Sequence, residues 1–160
     1  MVSEDWEAVR AIYLEGIASG QATFETTAPS WDEWNSSHLP FGRLIATSKT
    51  DGSLKGWAAL APISMRSVYA GVAEVSVYIA HDSKAQGLGQ RLLTLLIAES
   101  ETNGIWTLQA SVFPENLASI ALHKRCGFRT VGMRERIGRM NGLWRDTLLL
   151  ERRSRAVGSN

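Results

Sequence analysis

The run from Glu74 to Gln90 constrains this chain more than any other stretch. Val75, Val77 and Ile79 alternate with Glu74, Ser76 and Tyr78, the period of a β-strand with one face buried, so Glu74 and Tyr78 share a face. A short polar loop follows, then Gly87-Leu88-Gly89 and a helix with apolar Leu88, Leu92, Leu95 and Leu96, stopped by Asn103-Gly104. A strand feeding a helix through glycines needs a sheet with a helix laid on it, which restricts the fold to the α/β and α+β classes. Glycines allow close backbone approach and a helix start offers free N–H groups to phosphate, although a glycine pair also serves simply to turn a chain. The dinucleotide fingerprint fails because Leu92 stands at its third glycine, and no P-loop Gly-Lys-Ser/Thr is present.

The remaining segments fit one such sheet. Ser3 is expected to cap a first helix carrying Trp6, Val9, Tyr13 and Ile17, and Ser30 with Glu33 forms a capping box for a second, short helix containing Trp31 and Trp34. Arg43 to Ser48 and Leu54 to Ala61 read as strands joined at Asp51-Gly52. Ile105 to Phe113 reads as a strand, Asn116 to Arg125 as a helix stopped at Gly127, and Phe128 to Ile137 and Trp144 to Leu150 as a hairpin around Asn141-Gly142. With 160 residues one core is expected, in a single domain over residues 1–151, with 152–160 as a flexible tail.

Charge and apolar content narrow the function. Lys and Arg total 17 against 16 for Asp and Glu, so no one-signed field gathers nucleic acid. No apolar run approaches the roughly 18 residues of a membrane span, and acids stand where a signal peptide carries bases, so a cytoplasmic location is expected. Cys126 is the only cysteine, which excludes an internal disulfide. His123 and Cys126 lie three apart, but His38 and His81 are remote and no second thiol exists, so no metal is expected.

Ser76-Val77-Tyr78-Ile79, the loop, and Lys84-Ala85-Gln86-Gly87-Leu88-Gly89 resemble the acetyl-CoA motif of the GNAT superfamily of N-acetyltransferases, with Lys84 at a position where that motif has Gln or Arg. Asn116-Leu117-Ala118-Ser119 and Leu122 to Phe128 resemble its second CoA motif. Ile12 to Ile17, Ala22 to Thr26, Arg66, Tyr69, Ala73 to Ser76 and Asn141 to Asp146 are similar to the phosphinothricin and methionine sulfone (sulfoximine) acetyltransferase group. The resemblance spans about Glu4 to Glu151. It implies a mixed, mostly antiparallel central sheet with helices on both faces, a first edge strand short or missing, and a homodimer. It also implies acetyl-CoA as co-substrate, held by the backbone of Val77, Tyr78 and Ile79, by Lys84, Ala85, Gln86, Gly87, Leu88, Gly89 and Gln90, and by Asn116 and Ser119.

The acceptor implied is a small-molecule amine, the α-amine of a small amino acid. Alternatives are a protein N-terminus, a lysine or a drug amine, or a CoA-binding module without catalysis. Glu74 reads either as a strand carboxylate paired with Arg66 or, by the resemblance, as the base that takes the proton an ammonium must lose before it attacks a thioester. His123 reads either as an exposed helix residue or as the donor of a proton to the departing thiolate, which an ordinary imidazole pKa near 6.5 permits. Phe24, Arg66 and Tyr69 are the candidate acceptor pocket, Arg66 offering a planar fork to a carboxylate. Cys126 and the tryptophans read as packing.

Overall fold

The computed structural model describes residues 1–158, and its frame is a six-stranded sheet. A 3-10 turn at Ser3–Asp5 runs into α1 (Trp6–Ala18), and α2 is Trp31–Ser37. β1 (Leu44–Thr47), β2 (Leu54–Pro62) and β3 (Val72–Ile79) form an antiparallel meander. After β3 come α3 (Leu88–Thr102), β4 (Thr107–Val112) and α4 (Leu117–Arg125), then the hairpin of β5 (Arg129–Met140) and β6 (Leu143–Arg153). The order is β1-β2-β3-β4-β6-β5, and only β3 and β4 run parallel. This is the mixed, mostly antiparallel sheet expected. The first described element is the 3-10 turn, so no strand precedes α1 among the described residues.

Both faces of the sheet are covered, and β2 shows why. It is a central strand, so alternate side chains enter two cores. Ala58 and Leu60 join Ala73, Val75, Leu92, Leu93, Leu96, Leu108, Ala110 and Leu150 under α3, with Ile120 and Leu122 of α4 packed alongside. Trp57 and Ala59 point the other way, into the cluster of Trp6, Val9, Ile12, Tyr13 and Trp34 from α1 and α2. Trp57 is 1% exposed, and truncating such a side chain to alanine costs about 3–5 kcal/mol. The aromatic contacts are specific: Trp57 lies edge-on to Trp34 and Tyr13 and stacks on Tyr78 at 4.7 Å.

Three local expectations need correction. Ser3 is not the cap of the first helix: it sits inside the 3-10 turn, its hydroxyl donates to Glu4, and Val2 N–H donates to the Asp5 carboxylate instead. The buried stripe of α3 is Leu92, Leu93, Leu96 and Ile97, whereas Leu95 is 60% exposed. Leu93 and Leu96 keep helical spacing equally well, and which leucines face the sheet depends on how the helix is rotated against it. The segment assigned to a tail begins inside β6, where Arg152 donates to Glu101 at 2.9 Å. Beyond the strand, Ser154 donates to the same carboxylate at 2.8 Å, and Arg153 reaches the carbonyls of Trp106 and Val157. Ser159 and Asn160 lie outside the described residues.

The Ser30–Glu33 capping box is present: Ser30 N–H donates to Glu33 Oε2 at 2.8 Å, and Glu33 N–H donates to Ser30 Oγ. Asn141 and Gly142 both have positive φ, as a two-residue hairpin turn requires.

Candidate functional site

The parallel pair of strands parts early. β3 and β4 are paired only at Val72, Ala73 and Glu74 with Thr107, Leu108 and Gln109, although β3 runs on to Ile79 and β4 to Val112. β2 stays paired with β3 up to Ile79. Beyond Glu74, every second N–H and C=O of β3 therefore points into a wedge between the strands instead of into a ladder. Such an edge offers hydrogen bonds to an extended ligand that carries amides.

Glu74 stands where the wedge opens. Its neighbours Ala73 and Val75 are in the α3 core, so its carboxylate lies on the opposite face. Among the described residues that carboxylate has no ion pair and no side-chain hydrogen bond. The pairing with Arg66 is absent: Arg66 is exposed in the β2–β3 connection, and its guanidinium sits 5.5 Å from the Tyr69 ring. Arg66 and Tyr69 thus come together, but among the described residues no hydrogen bond, ion pair or ring contact joins them to Glu74 or Phe24.

At the far end of the wedge is the start of α3. Asn116 caps α4 by accepting from Ser119 N–H at 3.1 Å, and Ser30 caps α2, but α3 has no side-chain cap. The first intrahelical bond is Arg91 N–H to the Gly87 carbonyl, so the amides of Leu88, Gly89 and Gln90 are without helical acceptors. Gly87 has φ +75° and Ala85 φ +61°, which turns the loop back toward the helix axis. A β-carbon at Gly89 would approach Leu122 to 3.2 Å, so this turn sits directly on α4. Lys84, Ala85, Gln86 and Gly87 are exposed. Free amides at a helix N-terminus, in an accessible loop, suit a pyrophosphate. Beside it, Lys55, Ser83, Gln86, Leu88 and Arg91 line a second cavity of about 260 Å³ with two cationic side chains.

His123 is not an exposed helix residue. It is 5% exposed, its Nδ1 lies 2.8 Å from the Ser119 carbonyl, and Phe128 presents an edge to its ring. Nδ1 must carry hydrogen to bond a carbonyl, which leaves Nε2 as a lone-pair acceptor, buried and without a partner. Burial pushes its pKa down, partly offset by the Ser119 carbonyl. In this tautomer the ring is neutral and accepts at Nε2.

Phe24 is placed by residues that sequence reasoning did not single out. It meets Phe113, just past β4, edge-on at 4.8 Å, and a β-carbon at Gly138 would fall 2.7 Å from its ring, so glycine there lets the ring lie on β5. Arg145 spans Phe113 at 4.1 Å and donates to the Gly20 carbonyl and to Glu115. Asn116 donates to the Gln21 carbonyl at 3.1 Å. The α1–α2 connection is thus tied to both the α4 start and the β5–β6 hairpin. The signal in the sequence was Arg145 within Asn141 to Asp146, whose partner could not be read.

A cleft of about 510 Å³ lies on the α1–α2 side of β3 and is lined by Ser76 and Tyr78 together with Tyr13, Glu25, Trp34 and His38. It contains none of Glu74, Phe24 and Arg66. Tyr78 is held by Trp57, Tyr13 and the bare backbone of Gly16, and burial raises its pKa, so its phenol stays protonated. No group of three or more His, Cys, Asp or Glu among the described residues is arranged to hold a metal ion. No helix among them is long and apolar enough to cross a membrane.

Comparison with known proteins agrees with this geometry. The family pattern described as an acetyltransferase (GNAT) domain matches residues 3–149. The phosphinothricin N-acetyltransferase of Alcaligenes faecalis is 38% identical over 154 residues, covering 93% of this chain and 78% of that protein. The L-methionine sulfoximine/L-methionine sulfone acetyltransferase of Pseudomonas aeruginosa is 27% identical, covering 92% and 88%. A crystal structure of the phosphinothricin acetyltransferase of Sinorhizobium meliloti in complex with AcCoA superposes with a TM-score of 0.88 at 26% identity, covering 100% of this chain and 89% of that one.

Proposed function

Since this chain belongs to the GNAT acetyltransferase family and is an acetyl-CoA-dependent N-acetyltransferase, we propose that its acceptor is the α-amine of a small amino acid or analogue of the phosphinothricin or methionine sulfone type. The observation that carries the reading is Glu74: a carboxylate free of ion pairs among the described residues, at the point where β3 and β4 part. The relatives acting on phosphinothricin and on methionine sulfoximine supply the acceptor class.

The residues divide the work by position. The uncapped amides of Leu88, Gly89 and Gln90, with Lys84, Ala85, Gln86 and Gly87 around them, hold the pyrophosphate. The wedge edge of Val77, Tyr78 and Ile79 holds the amide-bearing arm, and Asn116 and Ser119 border it at the start of α4. Bound acetyl-CoA supplies the thioester carbonyl that the acceptor amine attacks. Glu74 takes the proton of the incoming ammonium, directly or through water, leaving a lone pair free. Backbone N–H groups near Tyr78 and Ile79 would donate to the thioester carbonyl and favour the negative charge it develops. His123, neutral with Nε2 as acceptor, orients the sulfur or a water beside it and relays a proton only after taking one up. Phe24 forms the wall of the acceptor pocket, and Arg66 with Tyr69 takes the α-carboxylate.

We further place the enzyme in the cytoplasm, where acetyl-CoA and free amino acids are both found, and assign it a homodimer. Exposed Met65, Val68 and Tyr69 next to Arg66, and Leu143 and Trp144 at the hairpin tip, are apolar surface that a second copy would cover.

Release of free CoA thiol tests the acceptor across phosphinothricin, methionine sulfone, methionine sulfoximine, their decarboxylated analogues and an N-terminal peptide. The amino acids are expected to turn over and the decarboxylated analogues to fail. Equal rates with simple amines, or a preference for the peptide, would move the acceptor to a drug amine or a protein N-terminus.

A further inference from the structure

Arg134 lies on the Glu74 face of the sheet, and among the described residues it has no acidic partner. Val112 and Ala110 of β4 and Leu150 of β6 enter the α3 core, so Ser111 of β4 and Thr147 of β6 point to the opposite face. Glu74 and Gln109 share that face, because their register neighbours Ala73 and Leu108 are in the same core. Arg134 of β5 pairs with Thr147, reaches across β6 and donates from Nη2 to Ser111 Oγ at 2.5 Å. It is half-buried, and among the described residues no carboxylate lies within ion-pair distance of it. Its Nε is buried with no acceptor, as is the hydroxyl of Thr147, which is 2% exposed. Nη1 makes no hydrogen bond and is not among the buried atoms.

Such a cation gains from a counter-charge, and its Nη1, uncommitted and not among the buried atoms, is left to donate to an oxyacid. The surroundings also belong to the acceptor side. Gly138, on which Phe24 rests, is four residues further along β5, and Arg145, paired with Gly138, spans Phe113. Ser111 lies two residues beyond Gln109 on β4, about 7 Å along the strand, and one strand across from β3, about 5 Å. The Arg134 head is therefore about 8 Å or more from the Glu74 position. An α-carboxylate, one carbon from the amine, cannot span that while the amine stays beside Glu74. The end of a side chain a few carbons long can.

We propose that Arg134 is a specificity-determining residue that binds an anionic oxyacid at the end of the acceptor's side chain, a phosphinate or carboxylate, in preference to a neutral sulfone. This rests on the small-amino-acid reading above and adds to it the charge of the side chain preferred. Phosphinothricin, with an anionic phosphinate, and methionine sulfone, of similar length but neutral, are the probes.

The test is steady-state kinetics on the full chain with each acceptor and acetyl-CoA varied in turn. Wild type is expected to favour phosphinothricin. Arg134→Met should lower kcat/KM for phosphinothricin about 10- to 100-fold, the size of a lost charge-assisted contact, with methionine sulfone changed less than about threefold and the KM for acetyl-CoA unmoved. Arg134→Gln, which removes the charge but keeps a polar side chain, should show the same selective loss and serves if the methionine variant folds poorly. Arg134→Lys should recover part of the discrimination. Equal losses with both acceptors would make Arg134 a structural strand residue and overturn the inference, as would no loss with either. If wild type acetylates neither amino acid, the acceptor reading itself fails and the inference falls with it. Turnover of both without discrimination refutes the Arg134 assignment alone.

Discussion

Replacing Glu74 by glutamine separates chemistry from folding cleanly, because the structure gives its carboxylate nothing else to do. The side chain has no ion pair and no hydrogen bond among the described residues, so the swap to a neutral amide of the same shape removes no contact. A change of this kind outside the core alters stability by no more than about 0.5 kcal/mol, which for a domain of this size is about 1–2 °C in Tm. Loss of a positioned proton acceptor, in contrast, costs about 10²- to 10⁴-fold in rate, or roughly 3–5 kcal/mol of barrier. Glu74→Gln should therefore keep its Tm and its affinity for acetyl-CoA while kcat drops at neutral pH. Raising the pH should restore part of the rate, since more acceptor then arrives as free amine. The assay is thiol release from pH 6 to about 9.5 beside a melting curve and a calorimetric titration with acetyl-CoA. Retained activity with a Tm several degrees lower would refute the reasoning and return Glu74 to a structural role.

Two further outcomes follow from local geometry. Gly87→Val forces a β-branched residue to φ +75°, where nothing lies within 4 Å of the new β-carbon; the backbone, not a clash, should shift, and calorimetry should find weaker acetyl-CoA binding with Tm lowered by a few degrees. Burial holds the pKa of His123 and of His38 below the ordinary value, so each is neutral in the fold and charges more readily when unfolded. Their contribution to stability is present above about pH 6.5 and is lost as the pH falls through the lower folded values. Melting curves across pH 7.5 to 5 should show this loss, and His123→Phe should make it shallower.

Elements governed by neighbours in sequence were legible in it. The alternation at Glu74 to Ile79, the Ser30–Glu33 box and the Asn141-Gly142 turn each depend on a few adjacent residues, and each forms as read. Ser3 misled because a 3-10 turn and an α-helix begin with the same polar and acidic residues, and the Asp5 carboxylate won the competition for the exposed amide. Leu95 misled because four leucines within five positions leave the rotation of α3 to the sheet beneath it. The candidate site could be proposed from the sequence as a set of residue types but not as a constellation. That β3 and β4 part after Glu74 depends on register between strands separated by a whole helix, and that Arg145 and Asn116 fasten the Phe24 loop depends on contacts across more than ninety residues of chain. The alternative pairing of Glu74 with Arg66 rested on charge alone, and the connection carrying Arg66 takes it to the Tyr69 ring instead.

The shortness of the ladder between β3 and β4 also governs the mechanics of the protein. Three residue pairs join the half-sheet β1-β2-β3 to the half-sheet β4-β6-β5, against seven between β2 and β3. The seam is therefore the most thinly paired line across the sheet, and the Asn116–Gln21 and Arg145–Gly20 hydrogen bonds cross beside it. A molecule that hydrogen-bonds along the free edge of β3 splices the two halves and stiffens the whole enzyme. The β3 amides beyond Glu74 that face the wedge rather than β2, and the β4 amides beyond Gln109 that face away from β6, should exchange slowly with solvent only in its presence. The concentration of acetyl-CoA around the enzyme then sets its lifetime against proteases as well as its rate, with a gain of about RT ln(1 + [L]/Kd).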